Sequence, residues 1–154
     1  MAWTTADRGA FGLPDGTTAI VLSEEAVDDS DKVLDYDTDI GTGQVLYIDS
    51  IHLEWTTTAT AGNREPVIEL RDSADDVISR VEAQTVVPAS QTGATYIFAP
   101  GMAPHTSGTP TRSVPESLPA NYYITAGQSM RIYDIAAVAA GADDLVIHVR
   151  GRVG

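Results

Sequence analysis

Apolar and polar residues alternate in short runs, and each run ends in a cluster of turn-forming residues; nothing else in this chain constrains its fold as much. The pattern is plainest near the C-terminus. There Met130, Ile132 and Asp134 alternate with Arg131, Tyr133 and Ile135, and Leu145, Ile147 and Val149 alternate with Val146, His148 and Arg150. A period of two sends successive side chains to opposite faces of an extended strand, whereas a helix needs a period of about 3.6, which no segment sustains.

The strongest strand lies in "QVLYIDSIHLEWTTTAT" (44–60). Under strict alternation one face carries Val45, Tyr47, Asp49, Ile51, Leu53 and Trp55. The other carries Leu46, Ile48, Ser50, His52 and Glu54, and turns polar along its length, as in a strand running from a buried zone to an edge. "TTAIVL" (17–22) is a shorter β-branched run, and "GATYIFAP" (93–100) is a strand stopped by Pro100 and Gly101. "PVIELRDSADDVISRVEA" (66–83) predicts a hairpin whose Asp and Ser residues at 72–76 bond locally to turn backbone. "SLPANYYIT" leads through "AGQ" into "SMRIYDIAAV", and "AAGADD" leads into "LVIHVRGRV". Residues 101–116 hold three prolines and two glycines without periodicity and predict a long surface loop.

This spacing predicts an all-β chain: a single antiparallel β-sandwich or jelly roll of about eight strands over 17–154. Residues 1–16 mix Gly9, Gly12, Pro14 and Gly16 with isolated Trp3, Phe11 and Leu13, and predict an extended N-terminal arm. Leaving such anchors exposed forgoes about 1.5–3 kcal/mol each. Either a neighbouring subunit buries them or the arm folds back over its own sandwich.

Eight of the 22 acids fall within residues 24–39, where a short helical turn or acidic loop precedes a strand at 32–37. Within "DYDTDIGTGQ" (35–44), Asp35, Asp37 and Asp39 invite comparison with a calcium loop. Such a loop needs glycine at its sixth position and a bidentate glutamate at its twelfth. Counting from Asp35, those places hold Ile40 and Leu46. Alternate carboxylates on a strand also stand about 7 Å apart, too far for one ion without a turn. The three aspartates therefore predict an acidic strand edge that discourages stray sheet pairing and is suited to meet arginines of a neighbouring subunit.

Catalytic patterns are missing. With no cysteine there is no disulfide, zinc-thiolate or cysteine nucleophile. His52, His105 and His148 are isolated, with no HxH or HExxH spacing, and only a folded meeting of His52, His148 and a carboxylate is left open. No GxSxG, SxxK, GxGxxG or P-loop pattern occurs. Asp75/Asp76 and Asp143/Asp144 sit beside turns, leaving Asp49, Glu54 and Asp134 as the carboxylates inside strong strands. The expectation is a protein that is not an enzyme, with no catalytic residue, cofactor or metal.

Charge narrows the partners. The net charge is −13, with ten acids against Arg8 and Lys32 in residues 1–43 and twelve against seven arginines in 44–154. Such a surface repels phosphates and anionic lipid head groups, so direct nucleic-acid or membrane binding is disfavoured. No apolar run approaches the ~18 residues that span a bilayer, and the first residues lack the basic start and apolar middle of a signal peptide. Synthesis and use without passage through a secretion channel are expected.

Three segments carry a family resemblance: "WTTTATAGNREPVIELRDSADDVI", "TYIFAPGM" and "LPANYYITAGQSMRIYDIAAVAAGADDLVIHV". A strand ending in Ala-Gly-Asn-Arg, a hairpin on an acidic turn, Leu-Pro-Ala before a Gly-turned strand pair, and Ala-Asp-Asp before the last strand resemble tailed-phage virion proteins of similar size. The resemblance covers about 44–154 and implies a jelly-roll head decoration, or cement, protein on the outer surface of the capsid, made in the host cytoplasm. It implies the major capsid protein as partner and a homo-oligomer, often a trimer at local three-fold positions. The arm at 1–16 would then clamp an adjacent subunit by strand addition. A tail- or fibre-associated or carbohydrate-binding β-sandwich is the alternative, favoured by aromatics clustered on one exposed face, with Tyr122 and Tyr123 as candidates.

Overall fold

Eleven strands and no helix make up the residues that the computed structural model describes: 4–5, 18–26, 31–35, 43–104, 113–136 and 143–154. They are β1 (Thr4–Thr5), β2 (Thr18–Ala26), β3 (Asp31–Asp35), β4 (Leu46–Thr56), β5 (Pro66–Arg71) and β6 (Val77–Glu82). Then follow β7 (Ala94–Pro100), β8 (Ser113–Leu118), β9 (Tyr123–Ile124), β10 (Ser129–Asp134) and β11 (Asp144–Val153).

Their pairing is nested about one acidic turn. The Asp72 carboxylate accepts the amides of Ala74 at 2.9 Å and Asp76 at 3.0 Å, which closes the β5–β6 hairpin. Asp75 takes a positive φ of 66°, a conformation that aspartate tolerates better than most residues. Outward from this hairpin, β4 pairs with β7, β3 with β10 and β2 with β11, all antiparallel. Such a ribbon, once rolled, splits into two sheets, β2-β11-β4-β7 and β3-β10-β5-β6. This is a jelly roll of eight strands, as the spacing predicts. Three short additions extend the first sheet: β1 on the edge of β2, β8 parallel to β7, and β9 beside one end of β4.

The core lies between the sheets. Ile51, Leu53, Trp55, Tyr96, Phe98, Leu145, Ile147 and Val149 face Leu34, Ile68, Leu70, Met130 and Ile132, all fully or almost fully buried. On β10 and β11 the inward residues are the alternate ones read from the sequence.

Strict alternation fails in β4. Leu46 and Ile48 are buried, and so are Ile51, Leu53 and Trp55, although the sequence places these two sets on opposite faces. The cause is a β-bulge: Arg150 stands opposite Ser50 and Gly151 opposite Ile48, so Asp49 has no partner on β11. The bulge falls where β4 changes its other neighbour. Residues 46–47 pair with β9, and 51–55 pair with β7. The face that begins with Leu46 and Ile48 is therefore polar after Ser50 because the strand has switched sides, and β4 runs through the middle of its sheet.

Two further expectations change. The 101–116 loop is shorter, because β8 begins at Ser113 and runs parallel to β7 despite Pro115. An outer strand tolerates proline, and the dozen or so residues between the two strands are enough for a parallel crossover. The strand at 17–22 extends to Ala26, carrying Glu24 and Glu25 into β2, while the strand expected at 32–37 is β3 at 31–35.

The bulge has its own backbone requirement. A Cβ on Gly151 would collide with the Tyr47 carbonyl oxygen and press on the Leu46 side chain at 2.9 Å. Gly151→Ala is therefore expected to lose about 1–3 kcal/mol of stability by forcing strands apart. Urea unfolding checks this, with a lower midpoint and an unchanged slope as the expected result.

Candidate functional site

Among the described residues, charged and aromatic side chains gather in three places. The first is a buried clamp at one end of the sandwich. Arg64 and Asp143 are both fully buried, with Arg64 Nε donating to Asp143 Oδ2 at 2.7 Å and Nη2 to Oδ1 at 3.1 Å. The remaining guanidinium hydrogens reach the carbonyls of Thr60 (3.0 Å) and Gly62 (2.8 Å) and the Thr58 hydroxyl (3.0 Å). All five donors are thus used. Asp143 Oδ1 also accepts the Thr58 amide at 2.8 Å. Burial pushes the Asp143 carboxyl up, but Arg64 and Thr58 outweigh it and hold it below its ordinary value. Nearby, Asp134 Oδ1 accepts the amides of Glu65 (2.9 Å) and Ala136 (3.0 Å). Asp134 and Asp143 are therefore structural carboxylates.

The second cluster lies on the outer face of the four-stranded sheet. Glu69, 2% exposed, accepts from Arg71 Nε and Nη2 at 2.9 and 2.6 Å and from the Tyr133 hydroxyl at 2.7 Å. Arg80 stands 3.6 Å away, and Arg71 also reaches Asp75 at 2.8 Å. Burial raises the Glu69 pKa, and the bonds from Tyr133 and Arg71 more than reverse that. Arg131 stacks on Tyr133, 4.6 Å from the ring centroid. This carboxylate binds β5, β6 and β10 together and has no spare face for a substrate.

The third is the outer face of the seven-stranded sheet, where functional groups point to solvent. Tyr47 and Tyr123 stand opposite each other on β4 and β9, their ring centroids 6.2 Å apart and tilted by 54°. Both are exposed, at 37% and 46%. Arg152 lies 5.7 Å over the Tyr47 ring and donates to Asp49, the bulge residue, at 3.1 Å. Further along, His52 and His148 occupy directly opposite positions of β4 and β11, and Glu54 follows on the same face. Burial, then Arg150, then His148 hold the His52 imidazole below its ordinary pKa.

The predicted contact residues are only partly described. Trp3, Phe11, Leu13, Asp37 and Asp39 lie outside the described residues, and Asp35 ends β3, an edge strand, opposite Ser129. Thr4 and Thr5, within the predicted arm, pair with Ser23 and Leu22 at the edge of the first sheet. The exposed aromatic pair is Tyr47 with Tyr123; Tyr122 is 4% exposed and belongs to the core. Tyr47 escapes detection from sequence because its partner strand is two residues long. Among the described residues no group of three or more His, Asp or Glu is placed to hold a metal ion, and no helix is long and apolar enough to cross a membrane.

No protein-family model and no curated protein matches the chain. Among solved structures it is similar to an arabinose-bound GH51 α-L-arabinofuranosidase, with a TM-score of 0.38 and 12% identity over 99% of this chain and 23% of that one. It is also similar to an exo-β-agarase, with a TM-score of 0.31 and 10% identity over 99% of this chain and 22% of that one. The chain thus spans less than a quarter of either protein, and scores this low assign it neither fold nor chemistry.

The clamp makes a prediction with a defined sign. Arg64→Met strands a buried carboxylate and is expected to lose about 3–5 kcal/mol, whereas Arg64→Met with Asp143→Leu recovers much of that. Because the folded Asp143 carboxyl titrates below its ordinary 3.8, its contribution is complete above that value and is lost as the pH falls through the lower folded pKa. Wild-type stability should therefore fall steeply in acid below about pH 4, and Asp143→Asn should flatten that part of the profile, as read by denaturant titration at stepped pH.

Proposed function

We propose that this chain is a structural virion protein, a jelly-roll decoration or cement protein that binds the outside of a tailed-phage capsid and stabilises the head. Its partners would be the major capsid protein and further copies of itself, in a trimer at local three-folds, with no chemistry of its own. A jelly roll alone hosts many functions, so the fold does not carry the reading. What carries it is that the motifs resembling virion proteins are the fastenings of this fold. Arg64 of "AGNR" is clamped to Asp143 of "ADD", and the "DSADD" turn closes the central hairpin. Ionised groups that an active site would expose are committed here to holding loops, which suits a protein that bears load. The net charge of −13 also suits the outside of a head better than contact with packaged DNA.

A second reading has its own observation. The exposed Tyr47–Tyr123 pair, flanked by Arg152 and Asp49, is the kind of surface on which a sugar ring stacks while planar polar groups bind its hydroxyls. A carbohydrate-binding module would use it.

Quantitative mass spectrometry of purified particles separates the two. The decoration reading expects the chain in heads at a fixed ratio to the major capsid protein that matches the three-fold positions. Particles lacking it should release DNA at lower temperature or on transfer to low salt. Absence from heads, or presence in tails alone, would sink it, and glycan binding lost in Tyr123→Ala would then favour the alternative.

A further inference from the structure

We propose that His52 and His148 form a two-imidazole site for a divalent transition-metal ion of the nickel, copper or zinc class, on the outer face of the seven-stranded sheet. The inference rests on register and does not depend on the proposed virion role. The two residues lie directly opposite each other on antiparallel strands, in the uninterrupted ladder that runs from Asp144–Thr56 to Arg150–Ser50. Opposite residues share one face with Cβ atoms about 4.5–5.5 Å apart. Two imidazoles rooted at that spacing can each bring a ring nitrogen to a common point about 2.0–2.1 Å away, the length of a metal–imidazole bond.

The site is also preorganised. β11 is held on both sides, by β2 and β4, and β4 at His52 is held by β11 and β7. Little backbone freedom is left to lose on binding. Coordination needs neutral imidazole, so acid weakens binding. Arg150 works against any cation by simple repulsion. It therefore selects for ions that form strong coordinate bonds to nitrogen, which transition metals do and magnesium or calcium do not. The −13 charge of the whole chain works the other way, raising the local concentration of cations. Because no third His, Asp or Glu among the described residues completes the group, the ion keeps open positions for water.

The test uses the full chain with chloride salts of Ni(II), Cu(II) and Zn(II), and Mg(II) as control, followed by calorimetric titration and thermal unfolding with and without EDTA. One ion per chain is expected, with no response to Mg(II). At an ion concentration a hundred times the measured Kd the folded-to-unfolded ratio should rise about 100-fold, reversibly on chelation. His52→Ala and His148→Ala should each abolish the effect, and His105→Ala should leave it intact. His148 is exposed, so its variant should keep the wild-type fold, and circular dichroism of both variants confirms that the loss is one of ligands. No binding of any of the three ions, binding retained in both single variants, or binding lost in His105→Ala would overturn the proposal.

Discussion

The buried Arg64–Asp143 pair fixes the relation between the outer turns of the roll. It joins two connections far apart in sequence, the segment between β4 and β5 and the entry to β11. Taking two charges out of water costs several kcal/mol per ion, and their attraction repays this only when every remaining donor finds a partner. That condition is met here. The Thr58, Thr60 and Gly62 contacts wrap the loop around the guanidinium, so the chain at 57–64 is shaped by the ion it encloses. Neighbouring bonds continue the joint, with Arg64 bridged to Val87 in the backbone and the Thr57 hydroxyl bonded to the Pro88 carbonyl and the Gln91 amide. One end of the sandwich is thereby closed by directional interactions between its loops.

The bulge at Asp49 does for β4 what the clamp does for the loops. A single extra residue lets one strand face the core with Leu46 and Ile48, then again with Ile51, Leu53 and Trp55, while its outer neighbour changes from β9 to β7. The same event turns Asp49 outward toward Arg152, so that the arginine is held over Tyr47. The exposed aromatic patch is thus a by-product of how the central strand reconciles two partners.

Legibility from sequence follows the same physics. β10 and β11 read correctly because neither carries an extra residue: β10 keeps its register with β3 and β5, β11 keeps its register with β2, and the residue inserted against β11 lies on β4, so alternation reports burial directly. The hairpin at 66–83 read correctly because turn aspartates act within a few residues of their own position. β4 misled because alternation cannot show which residue is the extra one. β8 was hidden because proline suggests loop, and a parallel outer strand lacks the tight turn that would announce it. The clamp was illegible for a different reason: its partners are 79 residues apart, and nothing local marks Asp143 as buried beside Asp144. The His52–His148 meeting was foreseeable only as an option, since it depends on β11 entering its sheet between β2 and β4.

The arginine-rich, lysine-poor balance acquires a structural meaning from these contacts. Arg64 grips Asp143, Arg71 joins Glu69 to Asp75, Arg80 meets Glu82 at 2.7 Å, Arg131 stacks on Tyr133 and Arg152 spans Asp49 and Tyr47. Each uses the planar fork or flat face of a guanidinium, which a lysine ammonium does not offer. These five arginines are therefore tied into the fold, while the chain as a whole keeps its −13 charge. A partner that docks on this protein through charge must then supply cations of its own, and its association rate must fall as salt rises.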